Sequence, residues 1–532
     1  MEFIKKIKSN FSIKKFIWLA VILVYILIFC LLFYNNLSIK DDIGRLDKIL
    51  YLIIAMVINL IVLFILFLIY KCKKIKAEVF FVIAASMLGL LFVFATPILK
   101  AHDEFYHWYK SYAVSIGHFV PSESSEEGLL YDKLPKIVED LPNNLGSFWL
   151  IDYKKEIKEF IKIECKENEK YDEKDFVLVE NTPTAYYPFI QMLPQATGIF
   201  IARNLNLNII LQVVFGRIGN LVFFIFFGYF SIKLIPNKKY LLMTLLLCPK
   251  VMYISTSLSG DVFTNCMAIF LISYILNLIY TCRHLKVVDY IIIGMVSCCV
   301  AVSKIVYLPL CALIFIIPKE CFYSKKFSNI LKKRIVVLII FLCSVVIGVI
   351  WLKISSGFLT SASPSSELQV KYILNHPILY FVTVLRTVSI EFNNWSLDMV
   401  GGFMQWGQMF TLYPIISISV YFIFFMSLLV EENDVKLSKS SKLLIFLIFF
   451  ITFILILTAL YVQWTAKAGE IGGNLITGIQ GRYFTPIFLL IPIILPSLVT
   501  STDKKINRNV ILYSIILLQI PTLLSIVVNN IN

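Results

Sequence analysis

The sequence predicts an all-α membrane protein of about thirteen spanning helices, with one long external loop inserted after the third. Three observations carry this expectation. Hydrophobic residues make up 59% of the 532-residue chain, aromatic ones 15% and charged ones 16%, where soluble domains carry about 25% charge, and mean hydropathy is +0.82. Apolar runs close to the roughly 20 residues needed to cross a bilayer recur from end to end. Lysines and arginines cluster in alternate gaps between those runs, the asymmetry that marks cytoplasmic loops. The net charge of +15 is thereby divided among loops and forms no single basic stripe, which excludes nucleic acid as a partner.

The runs lie at 16–34, 49–70, 78–97, 208–232, 240–256, 262–280, 287–303, 305–317, 335–353, 411–430, 443–461, 483–500 and 509–528. The first follows Lys5, Lys6, Lys8, Lys14 and Lys15, resembling a signal peptide. It is long enough to span and lacks a small-residue cleavage site, so it is expected to stay as a membrane helix with the N-terminus in the cytoplasm. With that start, the basic loops 71–76, 233–239, 283–286, 319–334, 436–442 and 504–508 all fall inside. The apolar stretch 186–203 is left out as a full span, because counting it would invert every later loop. Residues 1–77 then form an N-terminal two-helix segment, 78–500 the membrane core, and 501–532 a C-terminal helix.

The external loop, residues 98–187, is long enough to carry helices lying on the membrane surface. Residues 156–175 are dense in Lys and Glu and read as a solvated face. The loop ends in Pro183-Thr-Ala-Tyr-Tyr-Pro-Phe-Ile-Gln-Met-Leu-Pro-Gln195, whose prolines and tyrosines suit a juxtamembrane or re-entrant helix. A second external block, 353–410, starts as Ser/Pro-rich coil and continues as an amphipathic piece from His376-Pro377 to Arg386. Eleven cysteines show no CxxC pair or zinc-type spacing. Most of them, Cys30, Cys248, Cys266, Cys298, Cys299, Cys311 and Cys343, lie within apolar runs as expected buried thiols.

Polar residues converge on the outer side. Ala101-His-Asp-Glu-Phe-Tyr-His-Trp-Tyr-Lys110 sets Asp103 and Glu104 between His102 and His107, with Trp108 following. In a helix Asp103 and His107 share one face, a carboxylate and an imidazole suited to proton abstraction beside a ring-shaped ligand. Asp261 and Asn265 stand at the next outer turn, Lys304 at another, Arg386 with Glu391 in the second block, and Arg482-Tyr483 after a glycine-rich loop. Carboxylates, cations and aromatics around one cavity suit a ligand bearing phosphate and sugar, and ionisable groups at membrane depth are functional candidates. Simpler alternatives stand beside this. The acid pair could cap a helix, Lys304 and Arg482 could snorkel to headgroups, and Arg217 with Asn220 could join helices. Asp103, Glu104 and His107 are also candidate ligands for a divalent cation, although no zinc-type motif matches.

The ordered set Asp103-Glu104…His107, Tyr187-Pro188…Leu193-Pro194-Gln195…Gly198, Gly216-Arg217…Asn220, Ser259-Gly-Asp261…Asn265, Lys304…Tyr307-Leu-Pro309, His376-Pro377…Arg386 and Gln480-Gly-Arg482-Tyr483…Pro486 resembles a bacterial family of uncharacterised predicted membrane proteins placed among the GT-C glycosyltransferases. The resemblance covers roughly 78–500. It departs from the family at Ala101-His102, where a proline is usual, and in two extra spans before the loop. It implies a GT-C-like helical bundle, a polyprenyl-phosphate sugar donor and a catalytic acid in the first external loop. Asp103 matches that acid, Glu104 its neighbour, Asp261 the second external carboxylate and Arg482 the basic residue before a late span.

The expected activity is inverting transfer of a sugar from polyprenyl phosphate to a glycan acceptor outside a bacterial plasma membrane. Asp103 would take the acceptor's proton, with Glu104 and Asp261 positioning the acceptor or a cation. Lys304, Arg386 and Arg482 would hold the leaving phosphate. His107, Trp108, Tyr186, Tyr187 and Tyr483 would line the substrate site. A transporter or flippase for a lipid-linked glycan is the alternative, and a polymerase or ligase a weaker one. A transporter predicts repeats and charges within spans, whereas the charges here gather at one mouth.

Overall fold

The computed structural model describes residues 57–62, 64–66, 75–125, 129–144, 175–185, 187–322, 330–358, 364–405, 408–409, 413–430, 437–466, 469–495 and 508–529. The expected first span, 16–34, lies outside them. The helices are α1 (Ala77–Ala95), α2 (Glu104–Ser115), α3 (Lys136–Asn144), α4 (Thr182–Ala185), α5 (Phe189–Asn204), α6 (Ile209–Leu234), α7 (Lys239–Leu246), α8 (Pro249–Ser255), α9 (Asp261–Thr281) and α10 (Val287–Ser303). After a 3-10 segment, Ile305–Ile316, come α11 (Ile330–Phe358), α12 (Pro364–Asn375), α13 (Pro377–Val400), α14 (Tyr413–Leu428) and α15 (Lys439–Leu460). A second 3-10 segment, Gly481–Ile487, precedes α16 (Leu490–Ile494), α17 (Arg508–Leu517) and α18 (Gln519–Asn529).

Among the described residues five helices are long and apolar enough to cross a membrane: α1, α6, α9, residues 334–355 of α11, and α15 with its π-helical extension. α12 and α13 qualify together as a sixth, but they are bent by 105° at His376-Pro377, where proline starts a new helix and cannot continue the old one. Three expected spans take other forms for the same reason. Residues 240–256 break into α7 and α8 at Pro249; 305–317 winds as 3-10 helix around Pro309; and 483–500 begins as 3-10 helix containing Pro486. The stretch 186–203, not expected to span, holds all but the last residue of the 16-residue helix α5.

The bundle has a centre and a rim. The apolar window of α9 is 83% buried and that of residues 334–355 only 17%, so α9 runs through protein and α11 presents Ile335, Leu338, Ile339, Leu342 and Val346 outward, the face lipid would cover. α6 packs on α1, α5 and α9. Its contact with α5 is backbone against backbone: a Cβ on Gly198 would stand 2.0 Å from the Phe215 carbonyl oxygen, and one on Gly219 2.3 Å from that of Pro194. Small residues at such positions let membrane helices close up.

The expected external loop is not all helical. β1 (Glu123–Ser124), β2 (Leu130–Pro135) and β3 (Phe176–Glu180) form an antiparallel sheet in that order, with Tyr131 opposite Glu180 and Pro135 opposite Phe176. β2 turns Leu130, Asp132 and Leu134 inward, the period-2 alternation of a half-buried strand. A core of Trp108, Tyr112, Leu134, Val138, Val179, Ile199, Ile209, Val213 and Leu258 joins this sheet and α2 to α5 and α6. The unit that carries Asp103 is therefore fastened to the membrane core through side-chain packing. Cys343, expected to be buried, is exposed on α11, because that helix has few protein neighbours.

Candidate functional site

The site is built at helix ends. α1 stops at Thr96, and a short turn leads to Asp103, which precedes α2 with φ 57°, in the left-handed region. A side chain other than glycine held there costs on the order of 1–2 kcal/mol. Asp103 occupies the cap position, but its carboxylate accepts no capping hydrogen bond. Instead Oδ2 accepts from Arg482 Nη2 at 2.7 Å. Asp261 begins α9, where a carboxylate suits the positive end of the helix dipole. Lys304 ends α10, where a cation suits the negative end. Asp261 Oδ1 lies 2.5 Å from Lys304 Nζ, and its Oδ2 lies 3.3 Å from Arg482 Nε.

Four elements far apart in sequence thus meet in one chain of charges: Asp103, Arg482, Asp261, Lys304. Arg482 is 4% exposed and Asp103 32%, so the cation is sunk into protein while the loop carboxylate reaches solvent. The Tyr483 ring lies under both cations, 4.9 Å from Lys304 Nζ and 5.5 Å from the Arg482 guanidinium carbon. Tyr307 donates its hydroxyl to the Tyr483 carbonyl at 2.8 Å. Arg482 Nε and Nη1 are both buried without a hydrogen-bond partner, Nε keeping only its 3.3 Å ion-pair contact with Asp261. A buried N–H left unpaired costs about 1–3 kcal/mol or more, and unpaired donors on a buried cation suit an anion.

His107 sits one turn into α2, on the wall of the cluster. Burial pushes its pKa down to about 4, against the pull of Asp103 and Asp261, and Arg482 and Lys304 add to the depression. The imidazole is neutral at pH 7, with Nδ1 buried and unpaired. The Tyr187 ring packs beside it at 5.9 Å. Tyr186 lies outside the described residues.

Three of the expected site residues stand apart from this cluster. Glu104 does not share Asp103's surroundings: it is 0% exposed and faces Arg217, also 0% exposed. Arg217 Nε and Nη2 donate to Glu104 Oε1 and Oε2 at 2.8 and 2.7 Å, and Leu258 and Ala101 add backbone N–H groups at 3.1 Å each. The remaining Arg217 donors reach the carbonyls of Val93, Thr96 and Pro97. This pair staples the turn after α1 to α6 and to the turn before α9, and no oxygen of Glu104 remains for chemistry. Trp108 is fully buried and donates Nε1–H to the Val138 carbonyl at 3.2 Å, so its faces meet protein and not a sugar. Arg386 is exposed on α13 and joins none of the cluster's ion pairs. With Glu104 turned away, the expected cation ligands Asp103, Glu104 and His107 do not converge, and no group of three or more His, Cys, Asp or Glu among the described residues could hold a metal ion.

Sequence reasoning missed Lys250 and Asp398, a buried pair with Nζ and Oδ1 2.7 Å apart. Their only sequence signal is the rarity of charge within apolar stretches.

These features define a class: a mostly helical, multi-spanning membrane protein whose charged groups gather where helices end. Within that class, residues 86–491 match the family described as predicted membrane protein (DUF2142), and the chain belongs to that family. No curated protein and no solved structure matches the chain.

Proposed function

We propose that the cluster is the active site of an inverting glycosyltransferase of GT-C type, taking a sugar from a polyprenyl-phosphate donor to a hydroxyl of a glycan acceptor. The observation that carries this reading is Arg482: a buried guanidinium paired with two carboxylates, with Nε and Nη1 buried and making no hydrogen bond, in a cluster that also holds Lys304 through Asp261. Arginine's planar fork matches phosphate oxygens, and the lysine adds a second cation for a leaving group whose charge grows as its bond to carbon breaks.

In this reaction the acceptor hydroxyl attacks the anomeric carbon from the face opposite the phosphate. A C–O bond forms to the acceptor, the bond from carbon to phosphate oxygen breaks with its electron pair, and the hydroxyl proton passes to Asp103. Asp103 suits that task because it is the solvent-reaching carboxylate of the cluster. Asp261 holds Lys304 and Arg482 in register. Tyr483 lies against the two cations and Tyr187 beside His107, whose neutral imidazole would offer a hydrogen bond to a sugar hydroxyl. The cluster faces the outside of a bacterial plasma membrane when the basic loops face the cytoplasm.

Purified protein with a polyprenyl-phosphate sugar and a glycan acceptor tests the reading. Asp103→Asn keeps size and loses basicity, and general-base catalysis typically contributes about 10²–10⁴-fold, so transfer should fall by that factor with donor binding retained. Transfer at the wild-type rate in Asp103→Asn removes the base from this site. Donor binding without any transfer by the wild-type protein favours a carrier of lipid-linked glycan.

A further inference from the structure

Arg482 is held through its two neighbours in the chain. Tyr483 is fixed by Tyr307, and Gly481 donates its backbone N–H to Asp398 Oδ2 at 2.6 Å. Asp398 stands in the last turn of α13, and its other oxygen accepts from Lys250 of α8 at 2.7 Å. The approach depends on glycine: a Cβ on Gly481 would lie 2.2 Å from the Met399 nitrogen and 2.3 Å from the Trp395 carbonyl oxygen. Trp395 stacks on Phe484 just beyond, with ring centroids 5.7 Å apart.

A buried ion pair is a poor source of stability, since apolar replacements of similar volume are often neutral or better. What this pair supplies is a charged acceptor, fixed in place, for one particular amide. We propose that Asp398, charge-balanced by Lys250, is a positioning residue: it anchors Gly481 and so aims Arg482 at Asp103, Asp261 and an incoming phosphate. Asp398 reaches the arginine's segment through the Gly481 backbone amide, which is the contact the proposal rests on. The consequence for phosphate rests on the function proposed above; the anchoring does not.

Two double variants of the full-length chain in detergent separate the bond from the charge. Lys250→Met with Asp398→Asn removes both charges but leaves a side-chain oxygen for Gly481. Lys250→Met with Asp398→Leu removes the acceptor as well, and Asp398→Ala in the same background is a second acceptor-free variant should leucine prevent folding. Hydrogen exchange of residues 478–486 reads the anchor, and titration with farnesyl phosphate reads its consequence. The asparagine variant should exchange as wild type and bind within about threefold. The acceptor-free variants should exchange about tenfold faster at Gly481 and bind farnesyl phosphate about tenfold more weakly, while unfolding as cooperatively as the asparagine variant. Unchanged exchange in the acceptor-free variants, or equal changes in both kinds of variant, overturns the proposal. Faster exchange with farnesyl phosphate binding unaffected both there and in Arg482→Ala leaves the anchor standing and overturns the phosphate reading instead.

Discussion

Replacing Glu104 by glutamine separates a structural carboxylate from a catalytic one. Glu104 accepts four hydrogen bonds, two from Arg217 and one each from the backbones of Leu258 and Ala101. The glutamine amide keeps one oxygen and turns two N–H donors toward groups that are themselves donors. Arg217 would retain three backbone carbonyls but lose its counter-charge in full burial. Breaking one side of a buried ion pair costs about 3–5 kcal/mol, enough to lower the thermal midpoint in detergent by several degrees. Replacing both partners, as in Glu104→Leu with Arg217→Met, removes the unpaired charge and should recover much of that loss, leaving a coupling energy of at least about 2 kcal/mol in the double-mutant cycle. A Glu104→Gln protein as stable as wild type yet inactive in sugar transfer would falsify this and return Glu104 to the chemistry.

Three further outcomes are expected. Gly198→Ala gains up to about 1 kcal/mol of helix propensity, but its methyl would sit 2.0 Å from the Phe215 carbonyl oxygen, so α5 and α6 must separate and the thermal midpoint should fall; an unchanged midpoint would mean the two backbones are not in contact. His107 has its folded pKa depressed to about 4, so the unfolded chain binds the extra proton first as pH falls. Its contribution is complete above about pH 6.5 and is lost toward pH 4, about 3 kcal/mol in all; unfolding followed from pH 7.5 to 4.5 should show a shallower slope in His107→Gln, and equal slopes would refute the assignment. Arg386→Ala should leave farnesyl phosphate affinity unchanged, and a tenfold loss would bring that residue back into the site.

The membrane class of the fold was legible because hydropathy and loop charge are one-dimensional properties. Helix shape was less so: Pro249, Pro309 and Pro486 interrupt apolar runs that meet the length for a span, and an apolar count does not register a break. Asp103, Asp261, Lys304 and Arg482 were visible as charges at the ends of spans, and the structure brings them into contact. Glu104 was misjudged by one position. α2 begins there, the backbone at Asp103 is left-handed, and adjacent carboxylates consequently point to different surroundings. Trp108 looked available because its cover comes from Val138 and Leu134, which are remote in sequence. Lys250 and Asp398, 148 residues apart, carry no local spacing that could pair them.

An arginine shared between two acids need never be stripped bare. On the function proposed above, an anion reaching Arg482 would let one carboxylate go as an oxygen of the newcomer took its place, while the second kept hold. The exchange is a substitution of one charge-assisted bond for another, without the barrier of extracting a buried cation from all its partners. The carboxylate released would be the more exposed of the two, Asp103. Arrival of the anion and unmasking of the acid would then be a single event, and an empty site would keep its most reactive oxygen occupied.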